Sequence, residues 1–436
     1  MPPLLHQLWQ SALAEEHALQ QDLTDLRERV ERRFETLLGN PTLVRDLFGF
    51  TRAHEPILVA PRFALVSRAP DVREVLEQDA VFSVTEVYAA KMESTTGDFV
   101  LGMSAETAQY ERERTLMQDV LRPDDLDTIE QFVGETAEAL VRQAEPTGEM
   151  DVVSGLSRVV PSRLVGHYFG TPGPDEPTLM RWMRAIFRDI FLNLANDPGT
   201  SAEGTAAGKE LNTYLDALIA ARKPQVVADP EAYDDFLSRL LKVQAAGPAR
   251  LDDSTVRRIL GGIIVGAVDT NSKAIAQAVD QLLDRPDQLQ AAQAAAAAAD
   301  PGLAAYIWEA LRFNPQNPFL LRHCERDYTL AAGTPRARTI PAGSLVLVGT
   351  MSAMFDPEVV PDPDTFRLDR PVDVYLHFGD GPHMCFGRHI AGRLIPTVAR
   401  ALLRRPGLRR ADGPDGKIRY DGAFPDAFRV RFEAAP

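Results

Sequence analysis

The sequence predicts a mainly α-helical protein with a smaller β region. Apolar residues recur at spacings of three and four over most of the chain, which is the period of an amphipathic helix. One long run, 254–284, is largely apolar, whereas a short stretch, 57–67, has the pattern of a β-hairpin. The 436 residues suffice for one large domain. We therefore expect a single domain over 46–436, preceded by an amphipathic helix and linker over 1–45.

The first expected element is an N-terminal helix with a clear end. Leu19, Leu23 and Leu26 belong to a helical stripe that charged residues interrupt, and 39–41 reads Gly-Asn-Pro, a typical helix stop. The later elements follow from the same patterns. In order, we expect a helix over 1–38, a hairpin over 57–67, a helix over 69–78, an irregular stretch over 83–104, a helix over 105–121, amphipathic helices over 124–245 broken at Gly148, 170–173 and Pro224, helices over 254–284 and 301–313, strands within 315–326 and 338–350, and a helix over 388–405.

Composition excludes several classes of protein. Lys and Arg number 47 against 62 Asp and Glu, and the net charge of −15 argues against a nucleic-acid partner. Two cysteines, Cys324 and Cys385, do not make a disulfide scaffold. We see no run of roughly 18 apolar residues, so we expect no membrane span.

The most informative stretch is 378–387, Phe-Gly-Asp-Gly-Pro-His-Met-Cys-Phe-Gly. Its cysteine, Cys385, lies directly before a predicted helix, where the helix dipole and free backbone N–H groups favour a thiolate. The glycines allow sharp turns and a close approach to a flat ligand. A thiolate presented in this way is one of the known protein ligands of haem iron. The alternative is a buried structural cysteine in a glycine-rich turn.

This stretch resembles the cysteine-ligand loop of the cytochrome P450 superfamily, F-x-x-G-x-x-x-C-x-G. Phe378, Gly381, Cys385 and Gly387 occupy its fixed positions. The resemblance implies the P450 fold, a triangular haem-thiolate prism, with haem b bound and Cys385 as the axial ligand of its iron. It also implies a soluble, bacterial-type enzyme, and a thiolate ligand favours the reducing cytoplasm.

The centre of the apolar run reads Gly266-Ala267-Val268-Asp269-Thr270. The Thr270 hydroxyl is four residues past the Gly266 carbonyl, so a hydrogen bond between them would bend the helix and open a groove. Asp269 and Thr270 form a carboxylate–hydroxyl pair suited to proton relay. The resemblance makes them the catalytic pair that supports proton delivery. Ala267 departs from the glycine usual at its position and narrows the groove.

The resemblance assigns further residues to the haem. Arg114, Arg322 and His383 would bind its propionates, and Phe378 would contact it. Tyr110 takes the place of a histidine that bonds a propionate in related bacterial enzymes, a departure that puts this bond in question. The resemblance also gives three residues a structural role. Glu309 and Arg312 resemble the family's buried E-x-x-R ion pair, which braces the cysteine loop, and Arg370 would be their third partner. The expected substrate pocket comprises Val265, Gly266, Ala267, Phe319, Leu320 and Phe424.

The activity implied is insertion of one oxygen atom from O2 into a small apolar organic substrate, as hydroxylation or epoxidation. No segment of the sequence resembles a reductase, so electrons would come from a separate ferredoxin- or flavodoxin-type protein. One alternative is an electron-independent haem-thiolate enzyme, namely a peroxygenase, isomerase or dehydratase. Another is a non-catalytic haem carrier, which would need a second fixed iron ligand that no residue obviously supplies.

Overall fold

The computed structural model describes residues 40–193, 196–247 and 251–434. The predicted helix over 1–38 lies outside these residues. The helices are α1 (Pro41–His54), α2 (Ala69–Glu77), α3 (Thr85–Thr95), α4 (Ala108–Val120), α5 (Asp125–Ala144), α6 (Val159–Tyr168), α7 (Glu176–Phe187), α8 (Pro198–Ala228), α9 (Phe236–Ala246), α10 (Asp253–Val265), α11 (Asp269–Leu283), α12 (Pro286–Ala297), α13 (Leu303–Phe313), α14 (Thr350–Ala353) and α15 (Arg388–Leu403).

The strands are short and form four small sheets. The largest has the order β1-β2-β8-β5-β3, with β2 and β8 parallel and the other neighbours antiparallel. The other sheets have the orders β4-β12-β9, β6-β7 and β10-β11. The strands are β1 (Ile57–Ala60), β2 (Phe63–Val66), β3 (Phe82–Ser83), β4 (Glu149–Asp151), β5 (Leu320–Cys324), β6 (Tyr328–Leu330), β7 (Arg338–Ile340), β8 (Leu345–Val348), β9 (Arg409–Arg410), β10 (Arg419–Asp421), β11 (Phe424–Ala427) and β12 (Arg429–Arg431).

The fold is mainly α-helical with small sheets, as the sequence predicts, and the hairpin over 57–67 is present as β1 and β2. Two local expectations are wrong. Residues 83–104 contain helix α3. Pro224 lies inside α8, near its end at Ala228, rather than breaking it. Asn40 and Pro41 start α1, and the Asn40 side chain accepts a hydrogen bond from the Leu43 N–H. The expected boundary at residue 45 falls inside this helix.

The long apolar run divides into two helices, α10 and α11, which pass through the core. Helix α10 starts one residue earlier than predicted, because the Asp252 side chain accepts a hydrogen bond from the Thr255 N–H and caps the helix. Helix α11 packs against α13 and α15. Of the described residues, only the region Asp253–Leu283 is long and apolar enough to cross a membrane, and 67% of its most apolar stretch is buried inside the protein.

Candidate active site

Cys385 ends a loop that folds back on itself before α15. The Cys385 N–H donates to the Phe378 carbonyl at 2.9 Å, and the Met384 N–H donates to the Gly381 carbonyl at 3.0 Å. Gly379 and Gly381 have positive φ angles of 72° and 69°, which glycine adopts at little cost. The loop therefore presents the Cys385 side chain in one orientation, and that side chain is exposed.

The environment of the thiol differs from the expectation in one respect. The surrounding protein raises the pKa of Cys385 by desolvation, and this outweighs the N–H groups of Gly387 and Arg388 and the positive charges of Arg388 and Arg114. The helix N-terminus alone does not make a thiolate here. A bound metal cation would remove the proton, since a coordinating thiol is deprotonated outright.

Arg322 is a buried cation without a carboxylate partner within ion-pairing distance among the described residues. Arg322 lies in β5 and is 4% exposed, and its side chain donates to the neighbouring Leu321 carbonyl at 2.8 Å. Desolvation lowers the pKa of this guanidinium. Buried charges are normally paired, so Arg322 fits an anionic ligand.

Tyr110 has a partner different from the one expected. Its hydroxyl donates to the Pro382 carbonyl at 2.5 Å, and this uses the single proton of the phenol. Arg114 donates to the Met384 carbonyl at 3.1 Å. Nε2 of His383 lies 2.8 Å from Oδ1 of Asp79. A direct propionate bond from Tyr110 is therefore not supported, whereas Arg114 keeps other N–H groups for an anion, and Nδ1 of His383 could donate to one in the doubly protonated ring.

The break between α10 and α11 has the predicted hydrogen bond. The Thr270 hydroxyl donates to the Gly266 carbonyl at 2.5 Å, and the Asn271 amide donates to the Ala267 carbonyl at 2.7 Å. These side chains satisfy two carbonyls at the point where the regular helix is interrupted. Thr270 and Asn271 therefore stabilise an opening in the core helix.

Asp269 begins α11 and is 1% exposed. Arg184 of α7 donates to its Oδ1 at 2.9 and 3.2 Å, and Nε of Arg158 lies 3.2 Å from the same oxygen. The other oxygen, Oδ2, is buried and has no hydrogen-bond partner among the described residues. Asp269 is thus a buried carboxylate in which Oδ1 is paired with two arginines and Oδ2 has no hydrogen-bond partner among the described residues.

The core helices have one face that remains accessible. Gly266 is exposed although it lies in the protein interior, and the accessible positions around it recur at helical spacing. They are Gly262, Ile263, Gly266, Ala267, Thr270 and Lys273. Although Lys273 is partly exposed, desolvation by the surrounding protein lowers the pKa of its amine to about 8. This face, which carries the Thr270 hydroxyl, is suited to line a ligand.

The expected pocket residues divide into two groups. Gly266 and Ala267 lie on the accessible face, and Leu320 packs close to Gly379 of the cysteine loop, 3.3 Å from the position of a Cβ there. Val265 is 2% exposed and belongs to the core, off this face. Phe319 is buried, and the buried Phe424 ring lies 5.5 Å from the ring of Phe187.

One buried carboxylate, Glu309 of α13, binds residues of the segment that leads to the cysteine loop. Glu309 bonds Arg312 at 2.7 and 2.9 Å and Arg370 at 3.2 Å, and none of the three side chains is more than 3% exposed. Tyr375 also donates to Glu309, at 3.0 Å, and the Arg367 N–H does so at 3.0 Å. The predicted contacts of Glu309 with Arg312 and Arg370 are thus present.

These residues fit haem b. Cys385 offers a soft thiol, and Gly266 offers an exposed stretch of backbone without a side chain. Arg322 offers a buried positive charge that has no carboxylate partner among the described residues. Thiolate ligands suit iron, and guanidinium groups suit carboxylates such as haem propionates. Among the described residues, no cluster of His, Cys, Asp and Glu forms a separate metal site.

Comparison with known proteins decides the family. The family model described as Cytochrome P450 matches residues 58–405. The chain belongs to the cytochrome P450 family. It is 27% identical over 389 residues to the erythromycin C-12 hydroxylase of Saccharopolyspora erythraea, covering 88% of this chain and 92% of that protein. It is 28% identical over 372 residues to the mycinamicin IV hydroxylase/epoxidase of Micromonospora griseorubida, covering 82% and 85%. The crystal structure of CalO2 has the same fold, with a TM-score of 0.78, 24% identity, and coverage of 92% and 97%.

As a member of this family, the P450 binds haem b and is an oxidoreductase of the monooxygenase class. Sequence reasoning missed the two arginines that surround Asp269, since Arg158 and Arg184 are about a hundred residues away in the chain. It also missed Asn271 and Asp79. Asn271 has the same four-residue spacing to Ala267 that Thr270 has to Gly266, so that signal was available.

Proposed function

We propose that this P450 inserts one oxygen atom from O2 into a small apolar organic substrate, as hydroxylation or epoxidation, with electrons from a separate ferredoxin- or flavodoxin-type protein. The observation that carries the proposal is the Thr270 hydroxyl at the break of the core helix, next to the buried Asp269. The relatives named as a hydroxylase and as a hydroxylase/epoxidase support oxygen insertion as the reaction.

Cys385 is the proposed axial ligand of the haem iron. Arg322, Arg114 and His383 would hold the propionates, and Phe378 would contact the macrocycle. Haem b, when bound through the thiolate, supplies dioxygen activation and oxygen transfer to the substrate. The protein then has to orient the substrate, exclude water and deliver protons.

The proton-handling role belongs to Asp269 and Thr270. The Thr270 hydroxyl donates its hydrogen bond to the Gly266 carbonyl. Its oxygen therefore remains available as a hydrogen-bond acceptor on the accessible face. Oδ2 of Asp269 lacks a partner among the described residues and is the atom that would take up and release a proton. Arg184 and Arg158 keep the carboxylate fixed through Oδ1.

Apolar residues on and around the accessible face of the core helices would orient the substrate. Gly266, Ala267, Phe319, Leu320 and Phe424 are the proposed contacts. They offer apolar surface, with few groups that could bond a polar substrate, and this supports an apolar molecule. We also propose a cytoplasmic location, because a thiolate ligand requires a reducing compartment.

The first test is the carbon monoxide difference spectrum of the dithionite-reduced protein. A strongly red-shifted Soret band would support thiolate ligation by Cys385, and Cys385→Ser should abolish that band. A band at the ordinary histidine-haem position in the wild type would contradict the ligation.

The second test concerns the proton pair. With a ferredoxin and its reductase supplying electrons, and an alkoxycoumarin as probe, Thr270→Ala should release more hydrogen peroxide per electron and yield less product than the wild type. Thr136→Ala is the matched control, because the Thr136 hydroxyl makes the same bond to a carbonyl four residues earlier, the Phe132 carbonyl at 2.7 Å. Unchanged coupling in Thr270→Ala would reject the role. Product formation with hydrogen peroxide and no electron donor would favour the peroxygenase alternative.

A further inference from the structure

We propose that Tyr110 and Asp79 are positioning residues of the cysteine loop, which hold the segment directly before Cys385 in the conformation that ligates iron. The inference rests on the proposed ligation by Cys385. It gives Tyr110 a role other than propionate binding and assigns Asp79 to the haem site.

The loop before Cys385 is contacted at five consecutive residues by groups from α2, from the turn after α2 and from α4. Asp380 pairs with Arg73, Gly381 packs on the Leu76 carbonyl, Pro382 accepts from Tyr110, His383 bonds Asp79, and Met384 accepts from Arg114. Each residue of 380–384 thus has a contact with a residue outside the loop. A loop with two left-handed glycines would otherwise have many conformations of similar energy.

Helix α4 contributes two donors to this loop, the charged Arg114 and the uncharged Tyr110. Tyr110 donates to Pro382, shortly before Cys385. Its ring is buried, with 6% of the residue exposed, and packs edge-on against His383 with centroids 5.4 Å apart. The hydroxyl reaches the Pro382 carbonyl at 2.5 Å. The ring and the hydroxyl therefore position two adjacent loop residues, His383 and Pro382.

Asp79, in the turn after α2, hydrogen-bonds the His383 ring. Its Oδ1 accepts from Nε2 of His383 at 2.8 Å, and its Oδ2 accepts from the Ala105 N–H at 2.6 Å and the Ser104 hydroxyl at 3.1 Å. The side chains of His383 and Asp79 are only 3% and 4% exposed. Because a carboxylate only accepts, Nε2 carries the hydrogen, and the imidazole ring is fixed with Nδ1 left for another partner.

The consequence for the ligand follows from the loop geometry. The Cys385 N–H bonds the Phe378 carbonyl, so any movement of 380–384 shifts the sulfur relative to α15. A sulfur shifted from this position ligates iron less well, because a binding site must hold its groups close to the productive geometry. Weaker positioning should therefore appear as a loss of the thiolate spectrum before the protein unfolds.

The experiment uses the haem-loaded protein and measures the red-shifted Soret band of the ferrous carbon monoxide complex during mild warming. Tyr110→Phe and Asp79→Asn should each lose this band roughly fivefold faster than the wild type, the effect of removing about one hydrogen bond. The helical circular dichroism should persist while the band is lost. Tyr214→Phe and Asp71→Asn are the matched controls, as Tyr214 accepts the Gly173 N–H at 3.0 Å and Asp71 pairs with Arg336 at 3.1 Å, both away from the loop.

Loss of the band in Tyr110→Phe and Asp79→Asn at the wild-type rate would overturn the proposal, and so would equal acceleration in the two controls. If Asp79→Asn fails to take up haem, Tyr110→Phe decides alone, because it keeps the buried ring. A wild-type protein without the red-shifted band would instead contradict the ligation by Cys385, so the two failures are distinguishable.

Discussion

Arg184 donates two hydrogen bonds to Oδ1 of Asp269, at 2.9 and 3.2 Å, and a third to the Pro425 carbonyl at 3.2 Å. One side chain thus joins α7, the start of α11 and strand β11. Its guanidinium also lies over the Phe424 ring, 4.8 Å from the centroid. The proposed proton carrier and a proposed pocket residue share this arginine.

Replacement of Arg184 should therefore affect stability. Arg184→Gln should lower the free energy of unfolding by about 1–3 kcal/mol, because hydrogen bonds to a buried charge are lost while Arg158 remains. Arg188→Gln is the control, since Arg188 is more exposed and lies 3.8 Å from the exposed Asp421. Urea unfolding of both variants is the measurement. Equal effects of the two changes would show that the contact with Asp269 adds no stability.

Gly381 and Gly413 give a matched pair of backbone tests. Both have a positive φ, 69° and 70°, but a Cβ at 381 would lie 2.3 Å from the Leu76 carbonyl oxygen, whereas one at 413 meets nothing within 4 Å. Gly413→Ala should cost only the left-handed backbone strain, about 1–2 kcal/mol. Gly381→Ala should cost about 1–3 kcal/mol more from overpacking and should also lower the haem content. Unfolding curves and haem absorbance measure both effects, and similar losses in the two variants would contradict the close contact.

Glu309 should be the most sensitive carboxylate of the site. Glu309→Gln leaves Arg312 and Arg370 buried without their counter-ion, and breaking a buried ion pair costs about 3–5 kcal/mol. We expect little haem-loaded protein and an early unfolding transition. Glu358→Gln, at a side chain 52% exposed that pairs with Arg68, should change stability by less than about 0.5 kcal/mol. A haem content and unfolding midpoint close to the wild type in Glu309→Gln would exclude the bracing role.

His377 should make the stability depend on pH. Burial lowers its pKa from 6.5 to about 4, and Nε2 bonds the Trp308 carbonyl at 3.0 Å. Between these values the unfolded chain binds the proton and the folded protein does not, so stability is present above pH 6.5 and is lost as the pH falls toward 4. Since His377 is only partly buried, the loss should amount to roughly 1–3 kcal/mol.

His377→Gln isolates this contribution, because an amide can still donate to the Trp308 carbonyl but does not titrate. Unfolding free energies of both proteins at several pH values give the comparison. The wild type should lose more stability than the variant on acidification. Parallel pH curves would mean that other groups carry the acid sensitivity.

The sequence predicted those features of the fold that depend on local pattern. Periodicity located most helices, and residues three or four apart predicted the bonds of Thr270 to Gly266 and of Glu309 to Arg312. The family follows from a motif within ten residues. The irregular stretch over 83–104 was wrongly predicted because α3 has apolar and polar residues mixed on all sides, so its helical period is weak.

Features that depend on distant residues were not predictable in the same way. Arg184 and Asp269 are 85 residues apart, and Asp79 and His383 are 304 apart. Nothing local marks these pairs, because only the folded chain brings them together. The pKa of Cys385 is a similar case, since desolvation by the surrounding protein, which the sequence does not show, outweighs the helix terminus.

The carboxylate of Glu309 also bears on the order in which the chain folds. Beyond Arg312, its partners Arg367, Arg370 and Tyr375 lie 58, 61 and 66 residues further along the chain. Closing a loop of this length carries an entropic cost that local helices avoid. The segment over 361–375 has little regular structure to compensate, so we expect it to become ordered only after α13 has formed. Haem would then be captured late, by a nearly complete helical scaffold.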